Sequence, residues 1–219
     1  IGNQEDGVYF EGAIGNTVGG TTAAARNVIS GNAFNGVFFY GPGSDNNTVA
    51  GNFIGTDAAG TGALGNVLEG VFIWQDPGSG NLTGPSGNTI GGTAAGAGNV
   101  IAFNGQTGIK VGLSPADAST DNQFLGNSIF ANAGIGIDLG GDGPTANDPG
   151  DADAGAADFQ NSPILTSALT FAGTTTVAGT FDGLPNKTVR VEFFSNPAGE
   201  AQGRTYLGSL DVTTDGTGH

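Results

Sequence analysis

An internal repeat is the sequence feature that most constrains the fold. The segment GNTVGGTTAAARNVISGN at residues 15–32 returns as GNTIGGTAAGAGNVIAFN at 87–104, with 12 of 18 positions identical. A weaker pair of copies matches NNTVAGNFIG at 46–55 with DNQFLGNSIF at 121–130. Duplication on this scale is typical of solenoids and related arrays, in which one short supersecondary unit stacks on the next.

Three short strand types recur in fixed order within the repeat. The first carries Val18, Val49, Ile90 and Phe124, the second carries Ile29, Ile54, Ile101 and Ile129, and the third starts at residues 7, 36, 70, 108 and 134 as GVYF, GVFF, GVFI, GIKV and GIGI. One such unit cannot bury its own apolar side chains, whereas coils stacked about 4.8 Å apart form a continuous core. Gly or Asn interrupts nearly every apolar run, which argues against helical repeats. The pattern predicts an all-β protein containing a parallel β-helix of about four to five coils, in preference to a propeller, whose blades need hairpins.

Asparagine opens the first two strand types in every coil. The first column is Asn16, Asn47, Asn88 and Asn122, and the second is Asn27, Asn52, Asn99 and Asn127. Stacked coils would align these side chains as amide ladders, and Asn also tolerates the left-handed backbone that tight corners need. We interpret both columns as structural and not catalytic.

The third strand type predicts an aromatic surface. Successive side chains of a strand point to opposite faces, so the inward positions are Val8, Val37, Val71, Ile109 and Ile135, followed two residues later by Phe10, Phe39, Ile73, Val111 and Ile137. The outward positions then hold a group that we call the aromatic ridge: Tyr9, Phe38, Tyr40, Phe72 and Trp74. Such a ridge is either an exposed interaction surface for sugars or protein, or an outer layer of core covered by a loop or by the C-terminal segment.

An acidic segment at residues 137–163 interrupts the repeat. It carries Asp138, Asp142, Asp148, Asp151, Asp153 and Asp158 with no cation nearby in sequence. Carboxylates on a Gly-rich loop suit calcium, which takes six to eight oxygen ligands, although neither an EF-hand spacing nor the nine-residue calcium-roll repeat is present. The alternative is a solvated acidic linker.

After Pro163 the pattern changes to longer alternating stretches at residues 174–181, 188–196 and 205–216, which predict antiparallel strands. One face would carry Val177, Phe181, Val189, Val191 and Phe193, while Arg190 and Glu192 would face water. This segment has room for about four strands, whereas an immunoglobulin-like sandwich has roughly seven. We therefore expect a β-helix with an acidic linker over 1–162 and an incomplete sandwich over 163–219. Either the chain is a fragment, or a head-to-tail polymer or strands from another subunit complete it.

Composition excludes several classes of partner. The formal net charge is -15 with five Lys and Arg residues, which argues against nucleic acid and anionic membranes, because both are bound largely through cations. No apolar run is long enough to span a membrane. The chain has no Cys and no Met, which fits an exposed, oxidising environment, although a chain without Cys is compatible with any redox compartment.

The motifs GNTIGGT, NVISGN, GNFIGTDAAGTGALGN and GIGIDLGGDG resemble a known family. They are similar to the right-handed parallel β-helix repeat modules of large bacterial secreted and surface proteins, within the pectin-lyase-like group. The resemblance covers roughly residues 1–165. It implies a right-handed β-helix and an extracellular location. It does not imply one activity, since this architecture hosts lyases, hydrolases, adhesins and inert stalks.

The residues of this chain argue against catalysis. Polysaccharide lyases on this scaffold need a Lys or Arg base beside calcium-binding carboxylates, and the related hydrolases use clustered Asp with His support. Here the one His is terminal, the five cations are scattered, and Lys110, on a repeat strand, is expected to be a solvated surface residue. Asp57 and Asp121 lie in predicted turns. We predict no catalytic residues and no nucleotide or organic cofactor.

We therefore expect a non-catalytic, extracellular structural or adhesive module that self-associates head to tail or by strand addition. The alternative is a glycan-binding or polysaccharide-processing β-helix that uses the aromatic ridge and the acidic segment. The two hypotheses differ in whether the partner is another protein chain or a cell-surface glycan.

Overall fold

The computed structural model describes residues 2–76, 78, 80, 83–114 and 116–219. Strands dominate it, and a short 3₁₀ helix lies at Ala156–Phe159. Three parallel sheets run through the first part of the chain, and antiparallel strand pairs follow. This arrangement confirms the predicted all-β fold, with a parallel β-helix followed by antiparallel strands.

The three parallel sheets correspond to the three strand types of the repeat. Sheet A holds β1 (Val8–Glu11), β4 (Val37–Tyr40), β7 (Val71–Trp74), β10 (Ile109–Val111) and β13 (Ile137–Leu139). Sheet B holds β2 (Thr17–Gly19), β5 (Thr48–Ala50), β8 (Thr89–Gly91) and β11 (Gln123–Leu125). Sheet C holds β3 (Val28–Ile29), β6 (Phe53–Ile54), β9 (Val100–Ala102) and β12 (Ser128–Phe130). Each strand therefore pairs with its counterpart one coil away, as stacked coils require.

Columns of identical or similar side chains form the core. In sheet A, Val37 pairs with Val71, and Val71 pairs with Ile109. All three side chains are fully buried, as are those at the equivalent inward positions of the middle coils in the other two sheets. Near the first coil, the rings of Phe10 and Phe39 stack at a centroid distance of 4.5 Å. The alternation of the sequence thus becomes a vertical stack of aliphatic and aromatic groups.

The last strand of sheet A differs from the sequence prediction by two residues. Ile137, and not Ile135, pairs with Ile109, and Asp138 lies opposite Lys110. The N–H of Ile109 donates to the carbonyl of Gly136, as the N–H of Val71 donates to Gly108 one coil earlier. The segment GIGI contains two glycines two positions apart, so alternation alone could not show which one precedes the strand.

The glycine that precedes each sheet A strand has no room for a side chain. A Cβ on Gly70 would lie 2.5 Å from Ile101 Cγ2 and 2.6 Å from the Gly108 carbonyl oxygen. We predict that Gly70→Ala lowers the unfolding free energy by about 1–3 kcal/mol, the usual range for overpacking. Gly216→Ala is the control, since a Cβ there meets nothing within 4 Å. Equal urea midpoints for the two variants would contradict this prediction.

Two antiparallel hairpins make up the C-terminal part. β14 (Ile164–Phe171) pairs with β15 (Thr174–Thr180), and β16 (Thr188–Ser195) pairs with β17 (Thr205–Thr213). The two pairs form separate two-stranded sheets. Among the described residues, no apolar side chain beyond Phe159 is buried. Large apolar side chains are exposed instead: Ile164, Leu165, Leu169, Phe171, Leu184, Tyr206, Leu207 and Leu210.

Candidate functional site

The five aromatic residues singled out in the sequence form one continuous contact network on the outer face of sheet A. Phe38 and Phe72 stack at 5.0 Å with their planes 6° apart, and Phe72 and Trp74 stack at 6.1 Å and 8°. Tyr9 contacts Phe38 at 5.4 Å, and Tyr40 contacts Trp74 at 5.7 Å. The parallel register of the strands places these side chains one above another.

Exposure varies strongly along the aromatic ridge. Tyr9 is 48 % exposed, whereas Phe72 is only 8 % exposed. Phe38, Tyr40 and Trp74 are half-buried. Phe38 and Phe72 cover each other's faces, so they offer little flat surface to a ligand. Tyr9 offers the most accessible ring, and the middle of the ridge is largely packed against itself.

Acidic groups border the aromatic ridge. Tyr40 donates its hydroxyl proton to Asp76 at 2.9 Å, and that hydrogen bond is the main reason why the pKa of Tyr40 is raised. Burial, followed by the charge of Glu11, raises the pKa of Tyr9 to about 12. Both phenols are therefore protonated at neutral pH, and the carboxylates beside them make the local field negative.

Lys110 is not the solvated surface residue that the sequence suggested. Its Nζ lies 2.8 Å from Oε1 of Glu69, and the two side chains are only 12 % and 6 % exposed. Lys110 is the partner of Phe72 on the next strand of sheet A. The ion pair therefore closes the end of the aromatic ridge and leaves little free positive charge there.

Both predicted asparagine columns are hydrogen-bonded ladders. In the first, the backbone N–H and the Nδ2 of Asn47 donate to Oδ1 of Asn88 at 2.9 and 3.0 Å. Asn88 donates in the same way to Asn122 at 3.1 and 3.0 Å. The second Nδ2 hydrogen of Asn88 reaches back to the Ser44 carbonyl at 2.9 Å. The second column repeats this geometry from Asn27 to Asn127. Each interior amide thus joins three successive coils.

A third ladder was missed in the sequence. Asn32, Asn66, Asn104 and Asn132 follow the same donor and acceptor pattern, and Asn3 donates its backbone N–H into the first of them. Each of these residues lies four positions before the glycine that opens a sheet A strand. The spacing Asn-x-x-x-Gly was therefore the signal. With this ladder, every corner of the coil is fastened by amides.

Only three of the six acidic candidates come together. Carboxylate oxygens of Asp148, Asp151 and Asp153 lie within 4.8 Å of one another. Burial, followed by the charge of Asp148, raises the pKa of Asp153. Burial is also the first cause of the raised pKa of Asp151. Oδ1 of Asp148 is buried with no hydrogen-bond partner. These three residues are the ones that could hold a cation.

The other three acidic candidates lie outside that group. Asp138 accepts a hydrogen bond from the N–H of Gly143, and Asp142 is exposed. Asp158 lies near Asp121, whose charge, after burial, raises the pKa of Asp158. The sequence could not separate the two sets, because all six residues are close in sequence and only the backbone path, with positive φ at Asp151 and Asp158, decides which carboxylates meet.

Residues from the second hairpin unit bind the last coil of the β-helix. The Gln202 side chain accepts from the N–H of Asn132 at 3.0 Å and donates to the Asn132 and Gly134 carbonyls at 2.8 and 2.7 Å. Oε2 of Glu192 accepts from the N–H of Gly126 at 2.7 Å. The prediction that Glu192 faces water was therefore wrong, because alternation within β16 says nothing about what packs beside it.

No protein-family model matches the chain, and no curated protein matches it significantly. Within the part of the chain that the structure describes, no helix has the length and apolar character needed to cross a membrane. The structure is therefore that of an all-β protein. Amide ladders join the stacked coils of its β-helix, and antiparallel hairpins follow.

Proposed function

We propose that this chain is a non-catalytic, extracellular structural and adhesive module of a bacterial secreted or surface protein. In this proposal it belongs with the right-handed β-helix repeats of the pectin-lyase-like group, and its hairpins are part of an immunoglobulin-like sandwich. The observation that carries the proposal is the set of three amide ladders. The polar side chains that recur in each coil bind the neighbouring coils, which suits a rigid spacer.

The exposed apolar side chains of the hairpins support self-association. Leu169 and Phe171 are exposed on β14, which pairs with a single neighbour strand. A two-stranded sheet with a bare apolar face is marginal alone and gains stability when further strands cover it. Strand addition at the hairpins is favoured over head-to-tail stacking of β-helices. Gln202 already covers part of the last coil, where a second β-helix would have to stack.

Assembly is testable with paired surface variants. We expect the chain to form concentration-dependent oligomers or filaments, visible by analytical ultracentrifugation and negative-stain microscopy. Leu169→Lys with Phe171→Lys should weaken assembly, since charge on the apolar face opposes strand addition. Leu64→Lys is the matched control, because Leu64 is exposed on a β-helix loop. A strictly monomeric wild-type chain at all concentrations would refute self-association.

A glycan-binding role is the second candidate, and Tyr9 is the observation that favours it. Its exposed ring could stack on a sugar, whereas the acidic border disfavours anionic polysaccharides. If a neutral glycan binds, Tyr9→Ala should abolish binding on a glycan array, and Trp74→Ala should weaken it. Binding that is unaffected by both substitutions would exclude the aromatic ridge as the glycan site.

Calcium binding at Asp148, Asp151 and Asp153 is a further part of the proposal. The partnerless oxygen of Asp148 and the crowded carboxylates support it. The folded-state pKa of Asp153 is raised above its unfolded value of about 4. The folded state therefore binds protons more readily, and stability falls as the pH rises through the raised pKa. At neutral pH the repulsion is fully present, and a cation would relieve it.

Calcium addition provides the corresponding prediction. A few millimolar calcium should stabilise the chain by about 1–2 kcal/mol, as expected for a weak extracellular-type site. Asp153→Asn should raise the melting temperature without calcium, because it removes repulsion, and should abolish the calcium response. Asp142→Asn is the control, since Asp142 lies outside the group of three. An unchanged melting temperature with calcium and with EDTA would refute the site.

A further inference from the structure

The C-terminal end of the β-helix opens into a cleft of 1190 Å³ that the last coil, the segments 143–147 and 157–163 and the second hairpin line. The inward side chains of that coil line it, including Phe124, Ile137 and Leu139. Ile137 is 41 % exposed, although Ile109, its partner one coil earlier, is fully buried. Ala156 and Phe159 join the core at this end, but they leave Ile137 exposed in the cleft.

Two of the three strands at this end have a free edge. β11 and β13 are the last strands of sheets B and A, each paired on one side only. Unpaired edges of this kind are templates for an added strand. Asn122 and Asn127 are also the last members of their ladders, so the amide groups that in earlier coils donate to a following Asn are available here.

Another part of the same chain already contacts the outer edge of β12, the last strand of sheet C. Beneath β12, the carbonyl of Gly203 accepts from the N–H of Ile129 at 3.0 Å, and the carbonyl of Arg204 accepts from the Ser128 hydroxyl. The Gln202 amide takes the place that an Asn of the next coil would hold against Asn132. A short segment with a ladder-forming amide therefore already lies against one of the three last strands.

We propose that the free edges of β11 and β13 accept an extended peptide segment from a partner protein, which binds as an added coil. Its apolar side chain would cover Phe124 and Ile137, and its Asn or Gln would extend the ladder beyond Asn122. This inference deepens the adhesive function proposed above, because it gives that function a defined site and partner chemistry.

Charge specifies the peptide further. Asp121 and Asp158 line the cleft and lie outside the group proposed to bind calcium. Arg190, the one cation among the described residues that line the cleft, donates to Glu192 at 3.0 Å and to Tyr206 at 3.2 Å. Asp121 directly precedes Asn122, so a peptide residue directly before the ladder amide lies closest to this carboxylate. A basic residue at that position complements the unneutralised acids.

The probe is the peptide acetyl-SKNTIGGT-amide, which is the sequence of residues 86–93 with Lys in place of Gly87. Binding is measured by fluorescence anisotropy and by NMR shifts of the full chain, at concentrations where ultracentrifugation shows a monomer. We expect saturable binding with shifts at Phe124 and Ile137. Asp in place of the peptide Ile should weaken binding by about tenfold or more, because it removes the apolar anchor.

Two protein variants complete the test. Ile137→Asp should weaken binding by a similar factor, and Asp158→Asn by about two- to fivefold. Ile14→Asp, at an exposed residue outside the cleft, should bind as wild type does. The proposal is overturned if the peptide does not bind, or if the Ile and Asp peptides bind equally. The proposal is also overturned if the wild-type chain self-associates without binding the peptide, and if Ile137→Asp abolishes that self-association. A second copy of the chain would then fill the cleft. Filament formation is measured in the separate assembly experiment, so the absence of filaments would contradict only the assembly proposal.

Discussion

Asn88→Ala is expected to lower the unfolding free energy by about 3–5 kcal/mol, because it breaks a ladder in the middle of the β-helix. Asn88 is fully buried. Its Oδ1 accepts both the backbone N–H and an Nδ2 hydrogen of Asn47, and its own Nδ2 satisfies the Ser44 carbonyl. Alanine would leave all three groups buried without partners, at about 1–3 kcal/mol each before relaxation.

The matched control is Asn16→Ala, at the start of the same ladder. Asn16 is exposed and donates to Oδ1 of Asn47, and its own Oδ1 receives no ladder donor. Its loss should cost about 1 kcal/mol, the usual value for one hydrogen bond open to water. Urea unfolding followed by the fluorescence of Trp74, the only Trp, measures both variants. Equal losses at the two positions would show that the ladder is not the source of the stability.

The stack of coils could be predicted because it repeats. The same alternation appears in each copy, so an error at one copy is corrected by the others. Val37, Val71 and Ile109 were placed in one column from the sequence, and the structure pairs them directly. The last copy has no later copy to align with, and there the register was misplaced by two residues at Ile137.

Contacts between distant segments could not be predicted in this way. Glu192 and Gln202 bind the last coil through single side chains, and neither position repeats elsewhere in the chain. Their roles depend on how the second hairpin lies against the β-helix, which no local pattern encodes. The third asparagine ladder is different, because its spacing from the sheet A glycines was present in the sequence.

The sequence predicted which residues form the candidate surfaces, but not how exposed those residues are. The aromatic ridge follows from alternation and register, yet the packing of Phe72 between its neighbours depends on side-chain geometry. Likewise, Asp148, Asp151 and Asp153 meet, while Asp138 lies apart on a sheet A strand. Sequence proximity grouped all six acidic residues, and only the path of the backbone separates them.

Phe39→Ala is expected to destabilise the chain by about 3–5 kcal/mol, as for other large-to-small substitutions in a packed core. Phe39 is fully buried and stacks on Phe10 at 4.5 Å, with planes 6° apart. Removing the ring would leave a cavity between Phe10 and Ile73, the partners of Phe39 in the adjacent coils. Backbone hydrogen bonds hold the coils at a fixed spacing, so the cavity cannot close by collapse.

The neighbouring residue provides the control for this second prediction. Phe38→Ala removes the same number of atoms from the opposite face of β4, where the ring is half-buried and contacts only one side of the sheet. Its cost should be about half that of Phe39→Ala, since about half as much apolar area returns to water. The two variants have the same composition, so urea midpoints compare them directly. If Phe38→Ala destabilised the chain more than Phe39→Ala, the outer face of sheet A would carry the main core. The aromatic ridge would then be part of the core and not a binding surface.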